Sequence, residues 1–394
     1  MTKDELTARI AGRAAQIGRA AWNACANPEG LADPHPFTRY EFFEACEESG
    51  SATARTGWQP LHLVVERSGA IEGIMPLYLK NHSQGEYVFD HAWADALERA
   101  GGDYYPKLQA SVPFTPVTGR RLLIADAARA VEIGAALLSA GCSAVKELQA
   151  SSLHVTFLTE AEWRLAGEIG FLLRNDQQFH WENRGYASFE QFLGELSSSK
   201  RKNLRKERAA VRGAGVEFDW LTGRNITEAH WDAFFDFYMD TGGRKWGRPY
   251  LTRDFFNRVG SSMADQILLV MAKRNGRHIA GALNFFGEGV LFGRNWGCIE
   301  FVPFLHFETC YYQAIEFAIA HGLKKVEAGA QGEHKLLRGY MPTPTYSAHH
   351  IAHSGLRRAV DDYLRREREA VAEHIETLAE HGPFRKADPE RGGF

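Results

Sequence analysis

The sequence has few cysteines and no long apolar segment. Its five cysteines are odd in number, are scattered over 394 residues and never form a CxxC pair, so we expect neither a disulfide framework nor a structural zinc site. The N-terminal residues mix charges with short apolar runs and lack the apolar core of a secretory signal. No stretch approaches the ~20 apolar residues of a membrane helix. We therefore expect a cytoplasmic protein without a transmembrane segment.

A strong charge of one sign is also missing. The formal net charge is -3, which gives no general attraction to DNA or to an anionic membrane. Any polyanion site must therefore be local. Hydrophobic residues make up 44% and charged residues 24% of the chain, as in ordinary globular proteins. At roughly 100–200 residues per domain, this length predicts two domains.

The chain contains an internal repeat. Two segments each predict a β-hairpin, with the polar turns Arg67-Ser68-Gly69 in the first half and Asn275-Gly276 in the second. Each hairpin is preceded by a short helical pattern and followed by an amphipathic helix and a strand. The paired segments are helices 36–43 and 249–256, hairpins 61–79 and 267–286, helices 127–140 and 306–321, and strands 155–159 and 325–328.

This order of elements resembles the acetyltransferase-like GNAT unit. We therefore predict an α/β (α+β) fold of two tandem GNAT-like domains, each a mixed, mainly antiparallel sheet flanked by helices. A charged helical pattern near the C-terminus predicts one further helix. The predicted boundaries are 1–180 for the first domain, 181–355 for the second, and 356–394 for the C-terminal helix and tail.

Three longer segments carry a resemblance to a known family. They read GEYVFDHAWADALERAGGDYYPKLQASVPFTPVTG (85–119), HFETCYYQAIEFAIAHGL (306–323) and EAGAQGEHKLLRGYMPTPTYSAH (327–349). From about Pro36 to about Tyr363 the chain resembles the FemAB-like proteins described as peptidoglycan biosynthesis or recognition proteins. The resemblance implies a tandem GNAT fold and an aminoacyltransferase or N-acyltransferase activity.

The resemblance also implies a reaction and its partners. Better-studied Fem transferases move an amino acid from aminoacyl-tRNA to an amine of a peptidoglycan precursor, whereas other GNAT relatives use acyl-CoA. We expect amide formation without a metal or a tightly bound cofactor, with aminoacyl-tRNA or a thioester as donor co-substrate and an amine, possibly of a peptidoglycan precursor, as acceptor. Two alternatives stay open: an acyl-CoA-dependent N-acetyltransferase acting on a small-molecule amine, and a non-catalytic protein that binds a cell-wall precursor or RNA.

A glycine-rich phosphate turn is missing from both halves. Acyl-CoA-dependent relatives bind the pyrophosphate through backbone N–H groups of such a turn at a helix start. In the second half, residues 300–306 are mostly bulky and apolar, and in the first half Val117-Thr118-Gly119-Arg120-Arg121 has one glycine and two arginines. This departure argues against coenzyme A.

Residues 327–340 leave a predicted strand and enter a polar loop. Polar side chains just past the carboxyl end of a strand indicate a site, because clefts open there. The resemblance implies that a lysine of this loop stabilises developing negative charge, and Lys335 is the best match, with Arg338 as the alternative. The other candidates here are Glu333 for catalysis and Gln331 and His334, with Arg338, for substrate binding. A surface loop without a catalytic role is the competing interpretation.

The first half has a long insertion, residues 81–114, that interleaves aromatic and charged residues. We expect an acceptor pocket there, in which Asp95 or Asp90 holds and helps deprotonate the acceptor ammonium and Tyr104 donates a hydrogen bond. The remaining substrate-binding candidates are His91, Trp93, Tyr105 and Lys107. Alternatively, the aromatic residues pack a domain interface and the carboxylates cap turns.

Residues 197–215 contain seven basic residues and one acid. Serines at 197–199 are placed to cap a helix, and Arg201, Arg205, Arg208 and Arg212 recur at helical spacing along one face. This pattern predicts a ridge that binds the phosphates of tRNA or of a lipid pyrophosphate. The candidate ligands are Lys200, Arg201, Lys202, Arg205 and Arg208. A solvated helix face is the alternative.

Arg294 and Asn295 lie on the predicted central strand of the second half. By analogy with GNAT folds, whose strands part at this place to admit the donor, backbone N–H groups here would bind the oxyanion, and both residues are substrate-binding candidates.

The histidines of His349-His350-x-x-His353 are not expected to bind a metal. Adjacent residues of a strand point to opposite faces of the sheet, so His349 and His350 cannot converge on one ion.

Overall fold

The computed structural model describes residues 5–31, 34–246, 249–287, 289–329 and 332–385. The strands are β1 Leu6–Ala11, β2 Trp58–Pro60, β3 His62–Arg67, β4 Ala70–Met75, β5 Leu77–Lys80, β6 Lys107–Ala110, β7 Leu123–Ile124, β8 Ser152–Leu158, β9 Leu172–Glu182, β10 Val216–Leu221, β11 Ile267–Arg274, β12 Arg277–Phe286, β13 Val290–Cys298, β14 Lys325–Glu327 and β15 Met341–Ile351. The helices are α1 Arg19–Ala26, α2 Tyr40–Glu48, α3 His91–Arg99, α4 Ala130–Glu147, α5 Glu160–Glu168, α6 Phe189–Glu195, α7 Ser198–Gly213, α8 Glu228–Trp246, α9 Arg253–Ser262, α10 Leu305–Phe307, α11 Gln313–Ala320 and α12 Ser354–Glu380.

The chain packs into two compact units, each built from three stretches of sequence. Unit 1 comprises Met1–Asp176, Pro249–Gln266 and Pro344–Ala372, and unit 2 comprises Gln177–Arg248, Ile267–Thr343 and Glu373–Phe394. This division differs from the consecutive domains 1–180, 181–355 and 356–394. The physical reason is that α9 packs on α2 in unit 1, with the Phe42 and Phe255 rings 5.7 Å apart, and the carboxyl-terminal part of β15 pairs with β8.

Unit 1 contains two groups of paired strands. One is antiparallel, in the order β1-β3-β4-β7, and the other runs β15-β8-β6-β5-β2 with β6 and β8 parallel. The apolar face of α4, with Ile133 and Leu137, joins Leu108 and Leu153 in one buried core. Burial of this apolar surface stabilises the unit.

Unit 2 has one group of strands, β10-β11-β12-β13-β14-β9. All neighbours are antiparallel except β13 and β14, which are parallel. Its core contains Trp181, Phe192, Leu204 and Tyr312, contributed by β9, α6, α7 and the segment before α11. Each unit thus has one parallel pair whose strands are connected through a helix, as the repeat predicts.

Both predicted hairpins are present. β3 pairs with β4 and β11 pairs with β12. The turn residues Ser68 and Gly69, and likewise Asn275 and Gly276, all have positive φ, between 50° and 82°. Positive φ at both central residues is the type I′ geometry that fits the twist of a hairpin.

One helix of the described chain, Ala127–Glu147, is long and apolar enough to cross a membrane by length and composition, although no such segment is apparent from runs of apolar residues alone. In the structure, one face of this helix packs into the core of unit 1.

Candidate functional site

In unit 2, the parallel strands β13 and β14 stop pairing at their carboxyl ends, and we refer to these as the parted strand ends. The two strands pair over Val290–Phe292 and Lys325–Glu327, whereas β13 continues along β12 to Cys298. A β-bulge in this second pairing leaves Arg294 as the extra residue of β13. The end of a parallel pair is where ligands enter α/β sheets, and the structure places the predicted central strand there.

A π-helical turn over Glu308–Tyr312 interrupts the helix that follows β13. The hydroxyl of Tyr311 lies 3.0 Å from Nε2 of His334, and the hydroxyl of Tyr312 donates to the Glu207 carboxylate. Such turns are frequent at functional sites. Here the turn directs two adjacent tyrosines to separate polar partners.

Aromatic and imidazole rings gather beside this turn. The Trp296 and His306 rings are 5.3 Å apart, His306 and Tyr311 are also 5.3 Å apart, and Phe307 and His334 are 5.5 Å apart. Burial lowers the pKa of His334, and the nearby Arg338 and Lys335 lower it further. Both effects favour the neutral imidazole of His334.

The predicted polar loop forms a 3-10 helix, Glu333–Arg338, between two glycines. Gly332 and Gly339 have φ of 110° and 91°, a region that residues with a Cβ rarely adopt. A Cβ on Gly339 would also lie 2.7 Å from the Phe192 ring. These glycines let the chain enter and leave a short, tightly placed helix.

Lys335 is buried at the parted strand ends. Its side chain is 2% exposed, and Nζ donates to the carbonyl oxygen of Gly329, two residues past β14, at 2.9 Å. Burial lowers the pKa of the Lys335 amine to about 8, against a small opposing effect of the Cys310 thiol. The structure thus places the main catalytic candidate as a buried ammonium at pH 7.

All three guanidinium nitrogens of Arg338, the alternative candidate, donate hydrogen bonds. Nη2 donates to both carboxylate oxygens of Glu207 at 2.8 and 3.0 Å, Nε to the Tyr312 hydroxyl at 3.1 Å, and Nη1 to the His334 carbonyl at 2.6 Å. Its plane lies over the Phe307 ring, 3.5 Å from the centroid. This arrangement favours a structural role for Arg338.

The other predicted residues of this region are less buried. Glu333 is exposed and faces His374 at 3.7 Å, so its carboxylate points away from Lys335's buried amine. Arg294 and Asn295 are half-buried on β13. Gln331 lies outside the described residues.

The basic segment forms α7, as predicted, with Ser197 at its N-cap position but without a side-chain capping bond. Lys202 and Arg205 are exposed, Lys200 and Arg201 are half-buried, and Arg205 also pairs with an exposed glutamate. Arg208 is different, because it is 7% exposed.

Arg208 binds Glu308 and Glu316 and stacks on Phe189. Burial opposes its charge, but these hydrogen bonds raise the pKa of Arg208 well above its usual value. The predicted single arginine face therefore does not form. Arg208 turns into unit 2 because the buried Glu308 and the partly exposed Glu316 neutralise it there, and it is not available to phosphates.

In unit 1, the strands carry a polar face that is buried. Tyr78 pairs with Gln109 across β5 and β6, and His154 pairs with His349 across β8 and β15. Buried polar side chains on this face are Tyr78, Lys80, Lys107, Gln109, Ser111, Ser152, His154, Thr156, Ser347 and His349.

Some of this polarity is unused. Within the described chain, the Tyr78 hydroxyl, Gln109 Oε1 and Ser111 Oγ have no hydrogen-bond partner. Each of these unpaired buried polar atoms costs free energy.

Lys107 organises the predicted acceptor region. Its Nζ donates to Ser83 and Glu86, each at 2.7 Å, and to Asp90. The Tyr104 hydroxyl donates to Asp90 at 2.7 Å. Burial would raise the pKa of Asp90, but the Lys107 ammonium holds it well below its usual range. Three of the predicted residues, Lys107, Asp90 and Tyr104, thus form one ionic centre with Ser83 and Glu86.

Other predicted members of the pocket separate in space. Asp95 and His91 lie on the exposed face of α3, so the structure does not bring Asp95 to the buried centre; the helix period points it to solvent. Trp93 packs in an apolar cluster, with Tyr105 at its edge, and the Tyr105 hydroxyl lies 2.9 Å from Ser83 Oγ. Within unit 1, the aromatic residues therefore pack around a polar centre.

The sequence-based reasoning missed several residues of both regions. In unit 2 these are Glu207, Tyr311 and Tyr312, whose partners are distant in sequence. In unit 1 they are Lys80, Glu86 and His154, with His349 held through Nδ1 to Nδ1 of His154 at 2.7 Å. The alternating sequences KLQAS and SLHVTFL were a signal for the unit 1 residues, since polar residues recur at every second position.

His350 packs near Phe171, on the opposite side of the sheet from His349. Among the described residues no group of three possible ligands could hold a metal ion.

The two units, each with a helix-connected parallel pair, define a protein of the tandem GNAT fold. Over residues 13–386, the chain matches the model of the FemAB-like family, described as peptidoglycan biosynthesis/recognition, and the chain belongs to that family. No curated protein matches its sequence.

Solved structures show the same fold at low identity. The crystal structure of FemX is 12% identical, covers 87% of this chain and 98% of its own, and has a TM-score of 0.53. L-PGS from Bacillus licheniformis is 11% identical, covers 85% of this chain and 99% of its own, with a TM-score of 0.50. A tandem GNAT protein from the clavulanic acid biosynthesis pathway is 12% identical, covers 89% of this chain and 99% of its own, and has a TM-score of 0.48. The predicted fold and family are confirmed.

Proposed function

We propose that the chain is an amide-forming acyl or aminoacyltransferase whose oxyanion donor is Lys335. The observation that carries this proposal is the buried Lys335 ammonium beside the parted carboxyl ends of β13 and β14 in a FemAB-like chain. A cation held in a site of low polarity stabilises developing negative charge more strongly than one in water.

In the proposed reaction, an amine nitrogen attacks the carbonyl carbon of an activated ester or thioester. The new C–N bond forms, the carbonyl oxygen becomes an oxyanion that accepts a hydrogen bond from Lys335 Nζ, and the bond to the leaving oxygen or sulfur then breaks. The amine loses a proton and the leaving group gains one, so no oxidant, reductant or metal is needed. During this step, the hydrogen bond donated by Lys335 Nζ moves from the Gly329 carbonyl oxygen to the oxyanion.

The two segments that replace a coenzyme A turn support aminoacyl-tRNA as the donor. In unit 1 the amides of Arg121 and Leu122 both donate to the Glu162 carboxylate, at 2.9 and 2.8 Å. The Arg121 side chain is buried and donates to carbonyls. In unit 2 the amides of Leu305 and Glu308 donate to carbonyls of the preceding turn. Backbone donors that pyrophosphate would require are thus engaged.

The acceptor in this proposal is an amine, with a peptidoglycan precursor as the first candidate because of the family. The predicted role of Asp90 in holding an acceptor ammonium would not require release of Lys107. Lys107 and Tyr104 hold its Oδ2, and its Oδ1 has no hydrogen-bond partner within the described chain.

The test is a transfer assay with purified protein. Charged tRNA and acyl-CoA would be offered separately, with UDP-linked and lipid-linked muropeptides as acceptors, and the amide would be detected by mass spectrometry. We expect turnover with charged tRNA and at least a 100-fold loss in Lys335→Met, since removing one oxyanion donor costs about 10²–10³ in rate.

Other outcomes have definite meanings. Turnover with acyl-CoA alone would overturn the tRNA donor. Precursor binding with no turnover under any donor would favour the non-catalytic interpretation.

A further inference from the structure

Glu207 is the one acidic residue of the basic helix α7, and it points inward. Its carboxylate accepts both hydrogen bonds from Arg338 Nη2 and the hydroxyl of Tyr312. The exposed fraction is 16% for the Glu207 side chain and 6% for the Arg338 side chain. Both hydrogen bonds come from one guanidinium nitrogen, and the pair is charge-assisted and largely buried, which makes it stronger than a neutral hydrogen bond.

The partner of Glu207 belongs to the same short helix as the candidate catalytic lysine. Lys335 and Arg338 are three residues apart in the 3-10 helix Glu333–Arg338. Because a 3-10 helix has three residues per turn, these two side chains leave the helix in the same direction. Fixing Arg338 therefore fixes the backbone that carries Lys335.

The remaining contacts of that helix restrain it less. Glu333 and Leu337 are exposed. Leu336 packs in the core of unit 2. The Arg338 cluster, with Glu207, Tyr312 and the ring of Phe307, is thus the principal polar attachment of the helix.

We propose that Glu207 is a positioning residue, which through Arg338 holds the 3-10 helix so that the Lys335 amine stays buried at the parted strand ends. Its catalytic consequence rests on the proposed function, but its structural consequence does not. The inference also gives α7 a second role, because the helix that carries the exposed cations Lys202, Arg205 and Lys206 is tied to the lysine segment.

The direct test is the titration of Lys335 itself. In protein with ¹³Cε-labelled lysine, the Lys335 signal would be assigned by its loss in Lys335→Arg. The charged and titratable groups around this amine are Cys310, His334, Arg338 and His180. In the wild type we expect a midpoint near 8.

In Glu207→Gln, we expect the midpoint to rise by about one unit or more, because a loosened helix admits water to the ammonium. The matched control is Glu190→Gln. Glu190, on α6, is the exposed partner of Arg205 on α7, so this change should leave the Lys335 midpoint unchanged. Tyr312→Phe removes only the hydroxyl shared by Glu207 and Arg338, so it should give a smaller rise in the same direction.

An unchanged midpoint in folded Glu207→Gln and Tyr312→Phe would overturn the inference, and would make Glu207 a residue of stability alone. If Glu207→Gln does not fold, Tyr312→Phe decides. In the transfer assay, Glu207→Gln should lower kcat at least tenfold with the donor KM unchanged. If the wild type shows no transfer, the proposed function fails while the titration still decides the role of Glu207.

Discussion

Lys335 and Lys80 show how burial alone can change what a lysine does. Both amines are nearly or fully inaccessible, and burial lowers the pKa of Lys335 to about 8 and that of Lys80 to about 7. Lys80 is held over the Trp58 ring, 3.7 Å from the centroid, and 3.8 Å from Glu86. A buried lysine is costly unless paired, so each position invites a measurement against pH.

The Lys335 amine predicts an alkaline limit to activity. If its ammonium binds the oxyanion, kcat/KM should fall as pH rises through about 8, because the neutral amine loses the charge that stabilises the transition state. Lys335→Arg keeps a cation at all accessible pH values and should abolish that fall while retaining part of the activity. A pH profile of kcat/KM for both proteins checks this, and an identical alkaline limb in the arginine variant would contradict it.

Lys80 predicts a stability change of a definite sign. Its folded pKa is depressed to about 7, so between pH 7 and 9 the unfolded chain binds a proton that the folded chain has lost, and stability rises with pH. Lys80→Met should remove this contribution, about 2 kcal/mol over that interval by linkage. Urea unfolding at pH 7 and pH 9 measures it. If the free energy of unfolding rose equally between pH 7 and pH 9 in the wild type and in Lys80→Met, the rise would not come from Lys80.

At the scale of single elements, α7 separates two kinds of cation that look alike in sequence. Lys202 and Lys206 are exposed, whereas Arg208 is buried between Glu308 and Glu316. The helical spacing correctly predicts the helix. Which of its arginines face solvent depends on Glu308 in the π-helical turn and Glu316 in α11, at least 100 residues later.

This contrast predicts opposite effects of substitution. Arg208→Met should cost about 3–5 kcal/mol, because it leaves the buried Glu308 carboxylate without its cation. The double variant Lys202→Glu, Lys206→Glu should change stability by no more than about 0.5 kcal/mol but should weaken binding of tRNA and reduce its salt dependence. Denaturant unfolding and filter binding at two salt concentrations measure these. If Arg208→Met and the double variant lost similar amounts of unfolding free energy, the buried placement of Arg208 would be wrong.

At the scale of the molecule, neither unit is a continuous piece of chain. Unit 1 takes its last stretch, Pro344–Ala372, from near the C-terminus. His349 and Ala348 belong to its sheet, and Leu356 and Val360 pack with Trp93. Division of the sequence at residues 180 and 355 would therefore cut through unit 1.

A pair of truncations tests this organisation. Ending the chain after Thr343 removes the last stretch of unit 1, so amide hydrogen exchange should lose protection in β8 and α3, more than 180 residues away in sequence. Ending it after Ala372 leaves unit 1 complete and should preserve that protection. Retained protection in the shorter chain would show that unit 1 folds without Pro344–Ala372.

The sequence by itself determined the local elements and the repeated order. The hairpin turns at Ser68-Gly69 and Asn275-Gly276, the amphipathic α4 and the basic α7 depend on neighbouring residues, and their order indicates the tandem GNAT fold. The polar loop with Lys335 was also visible, because polar residues collect just after a strand.

Only the tertiary structure decided which of these residues meet. Asp95 and His91 follow the helix period to solvent, while Lys107, Glu86 and Asp90 meet from separate segments, and Glu207 finds Arg338 across 131 positions. The polar alternation of β6 and β8 would fit a solvated sheet face, yet that face is buried. Pairings of this kind depend on how distant segments pack, and a pattern confined to a few neighbouring positions carries no information about its partner.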